Sequence, residues 1–187
     1  MYGHRNFGSL QKSLEKTEEA KEFLKVLPHQ YYEENNLHGL LIEQIKDYPT
    51  LIGELNRFLP CIDNWATCDL LTVRVVKKHL DTFTEEVERW LASDHTYTIR
   101  FGIGMLMRYY LEEHFSLEYP EKVVKIRSEE YYVNMMRAWY FATGSGEASM
   151  KRFFLFWRKR GWMPGRITKL SRRPLRATGS LRSRKYI

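Results

Sequence analysis

The chain has 187 residues, with 30 Lys and Arg against 23 Asp and Glu, a formal net charge of +7. That length suits one domain able to bury a core without disulfides or a structural metal, and two cysteines are too few for a disulfide framework. The longest apolar stretches fall far short of a membrane span and the N-terminus carries no signal pattern, so the expectation is a soluble, monomeric, cytoplasmic protein.

The basic mean hides two unlike parts. Residues 1–143 hold 17 basic against 22 acidic side chains, whereas residues 144–187 hold 13 against one. A basic average would suggest nucleic acid, yet the body by itself opposes phosphate. Any DNA reading must therefore come from local arrangement.

In chain order, residues 10–25 form a charged amphipathic stretch closed by Pro28. Residues 29–46 follow, with Leu37, Leu40, Leu41, Ile42 and Ile45 as the apolar face. Pro49 suits the first position of a helix carrying Leu51, Ile52, Leu55 and Leu59, and Pro60 stops it. Asp63 or Asn64 caps the next, predicted over 64–78. Leu80, Phe83, Val87, Trp90 and Leu91 recur at helical spacing with acids on the wet side. Ser93 or Asp94 caps a long helix to about residue 114, residues 117–127 make another, and Ser128 caps the last, over 129–142. No stretch alternates as a strand would.

These predicted helices are of two kinds. Those at 49–59, 80–91 and 117–127 are amphipathic with an acidic outer side. Those at 64–78, 95–113 and 129–142 are apolar on most sides, which demands cover on two faces. The alternation repeats every thirty to forty residues or so, the period of paired-helix solenoids of the HEAT and armadillo type. The fold class is therefore all-α, expected as a HEAT/armadillo-like solenoid over residues 1–143, with the helices starting near 64, 95 and 129 lining one side. An ordinary helical bundle is the competing architecture.

Trp65 and Asp69 stand four residues apart, one above the other on one helical face. Arg100 and Trp139 lie in later apolar helices, 35 residues beyond Trp65 and 39 beyond Arg100. Residues one repeat apart converge on one groove of a solenoid. An aromatic, an acid, a cation and an aromatic then make a site for a ligand that carries or develops positive charge. The competing view gives the tryptophans to the core and the acid to the helix dipole. No His and Cys pattern suggests a metal, and nothing indicates an organic cofactor.

The tail begins at Gly144-Ser145-Gly146 and draws nine of its basic residues from Arg. With Phe153-Phe154-Leu155-Phe156-Trp157 interrupting it, it reads either as a nucleic-acid arm, loosely packed for want of regular apolar spacing, or as the product of a shifted reading frame.

Over residues 23–143 the chain resembles the DNA alkylation repair family, the AlkD-like glycosylases built from HEAT-like repeats. The resemblance rests on Leu27-Pro28-His29-Gln30-Tyr31-Tyr32-Glu33-Glu34, on Asp63-Asn64-Trp65-Ala66-Thr67-Cys68-Asp69, on His95-Thr96-Tyr97-Thr98-Ile99-Arg100-Phe101-Gly102 and on the segment from Tyr131 to Tyr140. It implies hydrolysis of the N-glycosidic bond of purines alkylated at N3 or N7, in double-stranded DNA. By the same resemblance Asp69 is the catalytic acid position, Trp65 and Trp139 are the cleft tryptophans, and Arg100 grips a phosphate. It implies no deep base-flipping pocket. The family also includes members that bind DNA without excising bases, so a noncatalytic helical-repeat binding protein is the alternative.

Overall fold

The computed structural model describes residues 17–144 together with Lys151 and Leu155. The expectations for the first sixteen residues and for the tail therefore lie outside the described residues. Within them the chain is helical and contains no strand.

Helix α1 (Glu18–Lys25) starts at Thr17, whose hydroxyl accepts from the Ala20 amide at 3.2 Å. Helix α2 (Tyr32–Ile42) is shorter than the predicted stretch, because the chain before it is extended at Tyr31. Glu34 reaches back to accept from the Tyr31 amide at 3.0 Å, meeting one of the donors a helix start leaves open. Asp47 caps α3 (Tyr48–Phe58) by accepting from the Thr50 amide, with Pro49 in the first turn.

Helix α4 (Trp65–Leu70) is the main departure from expectation. The predicted helix over 64–78 ends after six residues, and a short 3-10 helix (Arg74–Lys78) follows an extended link. The β-branched Thr72, Val73, Val75 and Val76 resist the helical turn, and the Thr72 hydroxyl donates to the Leu70 carbonyl instead. The link still buries Leu71 and Val73, and the 3-10 helix buries Val76.

Helix α5 (Leu80–Leu91) buries Phe83, Val87 and Trp90. Helix α6 (Thr96–Tyr109) is buried from Thr98 through Leu106, as an all-round apolar sequence requires. It stops at Tyr110 and not near residue 114, and its cap is His95, whose ring accepts from the Thr98 amide. Helices α7 (Glu118–Lys125) and α8 (Tyr131–Gly144) complete the described fold, with the Ser128 hydroxyl accepting from the Glu130 amide ahead of α8.

Packing separates two layers. In one, α2 packs on α4, α4 on α6, and α6 on α8. In the other, α3, α5 and α7 pack on α2, α6 and α8 respectively. Gly102 permits the close approach of α5 and α6, since a Cβ there would meet Leu91 at 3.1 Å and Trp90 at 3.3 Å. The outer helices are tied by polar contacts: the Trp90 indole donates to Asn56 at 2.7 Å, and Lys122 on α7 pairs with Glu88 on α5.

Helix α1 is held by a stack of rings. Phe23 stacks on His29 at 4.5 Å, and His38 stacks on Phe58 at 4.3 Å. The two imidazoles share a 2.8 Å hydrogen bond between His29 Nε2 and His38 Nδ1. His38 is fully buried, and its Nε2 has no hydrogen-bond partner among the described residues. Burial, with the neighbouring His29 and Arg57, lowers its pKa to about 3.

An unfolded histidine binds its proton near pH 6.5 while the folded one resists it, so stability is intact above 6.5 and falls as pH drops toward 3. The full loss is up to roughly 5 kcal/mol. Replacing His38 by Phe should flatten the fall in melting temperature between pH 7 and 4. An unchanged slope would assign that fall to other groups.

Candidate functional site

Asp69 sits on a helix too short to be stable alone, and the neighbouring helices hold it from both sides. At its start, the Asn64 side chain accepts from the Thr67 amide at 2.8 Å, and the Thr67 hydroxyl donates to Asn36 of α2 at 2.8 Å. On the other side, the Cys68 thiol donates to the Tyr97 carbonyl of α6 at 3.4 Å. Burial pushes that thiol pKa far up, so Cys68 packs as a small apolar group and not as a nucleophile.

Asp69 itself meets Arg100. Its Oδ1 accepts from Nε at 2.9 Å and its Oδ2 from Nη2 at 2.6 Å, a two-pronged charge pair. The third arm of the guanidinium, Nη1, donates to the Tyr132 carbonyl at 2.9 Å. Arg100 thus links the helix of Asp69 to α8, the helix of Trp139. The side chain of Arg100 is 1 % exposed, whereas that of Asp69 is 19 % exposed. The acid keeps an open edge, and each of its oxygens has lone-pair capacity left for a water or a sugar.

Arg100 lies deeper than its expected phosphate role implies. A phosphate grip needs a guanidinium that reaches solvent, whereas Arg100 is the largest fully buried side chain among the described residues. Its donors face Asp69 and a main-chain carbonyl. The sequence carried a usable signal: Arg100 is the lone charge in the run Thr98-Ile99-Arg100-Phe101-Gly102-Ile103. A charge buried all round must find a counter-ion.

The two tryptophans behave otherwise. Trp65 is 48 % and Trp139 is 47 % exposed, unusual for so large an apolar ring. Trp65 stands one turn before Asp69 on α4. Trp139 stands two turns along α8 from Tyr132, about 10 Å down the axis. Tyr97 and Tyr132 lie 5.9 Å apart, joining the starts of α6 and α8. A cavity of about 430 Å³ lies elsewhere, at the far ends of α6 and α8, lined by Lys77, Arg108, His114 and Thr143 among others. Neither tryptophan lines it.

Sequence reasoning missed the residues at the other end of α4. Arg108 donates through Nη2 to the Asp69 carbonyl at 2.6 Å and through Nη1 to the Leu71 carbonyl. Glu43 accepts from the Thr72 amide. Nothing in their local sequence marks main-chain partners 29–39 residues away. Among the described residues no cluster of His, Cys, Asp and Glu could hold a metal ion, and no helix is long and apolar enough to cross a membrane.

A family model described as DNA alkylation repair enzyme matches residues 7–126. No curated protein and no solved structure matches the chain.

Proposed function

The chain belongs to the DNA alkylation repair enzyme family, and on that premise we propose that it excises purines alkylated at N3 or N7 by hydrolysing their N-glycosidic bond in double-stranded DNA. One observation carries the reading: a partly open carboxylate, Asp69, held through both oxygens by a buried arginine beside a half-exposed tryptophan. The succession of α2, α4, α6 and α8 in one layer supports a HEAT-like solenoid that offers these groups along one surface.

The chemistry suits the residue types. A purine alkylated at N3 or N7 carries a formal positive charge, so the C1′–N bond breaks with both electrons going to a neutral leaving base. The sugar develops oxocarbenium character. A water oxygen then bonds to C1′ and releases its proton to solvent. Asp69 stabilises the cationic sugar and orients that water. The ring faces of Trp65 and Trp139 pack against the lesion nucleotide and attract its positive charge. Arg100 acts as a positioning residue behind Asp69. Phosphate contacts fall to the exposed Arg74, Lys77 and Lys78.

Release of base from duplex DNA carrying N7-methylguanine or N3-methyladenine tests the reading directly. Trp65→Ala and Trp139→Ala should each slow release about 10–100-fold, the equivalent of a lost ring contact of about 1–3 kcal/mol. Their half-exposure means that melting should shift by less than about 1 kcal/mol. If the parent releases no base above the spontaneous rate, the alternative takes over: a noncatalytic helical-repeat binding protein. The acidic balance of the body favours that alternative with a protein segment as partner.

A further inference from the structure

We propose that Arg108 and Glu43 are positioning residues that set where the Asp69 carboxylate stands. The inference rests on the reading of Asp69 as the group that acts on the sugar. A helix leaves its last carbonyls without partners, and α4 leaves its helical path at Leu71, with φ −60° and ψ 119°. It has no αL residue there to close the end upon itself. Arg108, from the last turn of α6, supplies the missing donors to the carbonyls of Asp69 and Leu71. Glu43, which ends α2, takes the next free donor, the Thr72 amide.

Two charged side chains from the two flanking helices thus grip the main chain between Asp69 and Thr72, and the Asp69 carbonyl is itself one of the gripped groups. Burial pushes the Glu43 carboxyl pKa up, while the Thr72 amide and the charges of Arg108 and Arg74 pull it back. Placing a carboxylate where burial opposes its charge is a poor way merely to end a helix. It is a good way to fix a backbone whose next side chain must be accurate. Arg100 sets the direction of the carboxylate from the far side. Without the grip, the Asp69 Cα can shift along α4 while the Arg100 pair follows it. A misplacement of about 1 Å typically costs on the order of a hundredfold in rate.

The test uses the full chain with Arg108→Met, Arg108→Lys, Glu43→Leu and Glu43→Gln, all confirmed folded by melting. Amide hydrogen exchange of residues 66–72 should accelerate at least about tenfold in Arg108→Met and Glu43→Leu, with residues 100–106 unaffected. The carboxyl carbon resonance of Asp69 should move in the same two variants. For excision, kcat should fall about 10–100-fold with KM changed less than about threefold. Glu43→Gln keeps an acceptor for Thr72, and Arg108→Lys keeps one donor, so both should retain more of the rate. Unchanged exchange and an unmoved Asp69 resonance would overturn the grip. A rise in KM alone would overturn it too, leaving Arg108 as a phosphate contact. If the parent releases no base, the functional reading fails, while exchange and the Asp69 resonance still decide whether the grip exists.

Discussion

Replacing Arg100 by alanine should lower stability by about 3–5 kcal/mol, the range for breaking a buried charge pair, which for a domain of this size is roughly 10–15 °C in melting temperature. Three losses combine. The Tyr132 carbonyl loses its donor, the Asp69 carboxylate loses both donors of Arg100, and a void opens where the largest fully buried side chain among the described residues stood. DNA affinity, measured where the variant is folded, should hardly change, because a guanidinium 1 % exposed makes no phosphate contact. An exposed phosphate ligand would behave in the reverse way, with weaker and less salt-dependent binding and an untouched melting curve. That reverse pattern would restore the phosphate role and contradict the packing of α6.

Much of the helical order was legible in the sequence because apolar spacing and burial are the same physical fact. Phe83, Val87 and Trp90 recur at helical intervals, and those are the residues α5 buries. Local signals failed where tertiary contacts override them. Residues 71–78 have enough apolar side chains for a helix, yet the chain runs extended and then into a 3-10 helix, because Arg108 and Glu43 add to the β-branched resistance by rewarding the extended path. The cap of α6 is His95 and not Ser93 or Asp94, since any side-chain acceptor in reach of the Thr98 amide will serve. At the candidate site, Trp65, Asp69, Arg100 and Trp139 lie on helices as their spacing predicts, but the spacing does not contain their depth. Exposure of the tryptophans and burial of the arginine depend on what α6 packs against on both sides, which no single-helix pattern contains. The partners of Arg108 were illegible altogether, because a main-chain carbonyl leaves no trace in residue identity.

Asp69→Asn should reduce base release by on the order of a hundredfold or more, the usual loss when one preorganised electrostatic partner is removed. The geometry adds a complication that composition alone would miss. Asparagine offers one oxygen where Arg100 now meets two, and its amide hydrogens face the guanidinium Nη2 or Nε. The arginine is left as an under-compensated buried charge, so this variant should also melt early, by a few kcal/mol. Rate and stability therefore fall together in the single variant, and a purely structural role for Asp69 would look the same.

A second substitution separates the two. In Asp69→Asn/Arg100→Met the buried charge is gone, a flexible apolar chain fills its space, and the desolvation cost disappears with it. Melting should recover by at least about 1–2 kcal/mol relative to Asp69→Asn, while base release stays at the level of the single variant. If release recovers along with melting, Asp69 serves only the fold. If Asp69→Asn alone releases methylated purines at the parent rate, another group stabilises the sugar. Binding to undamaged DNA gives the third readout. It should hold or rise in both variants, because removing a carboxylate beside the phosphates relieves repulsion, whereas a damaged groove would bind less.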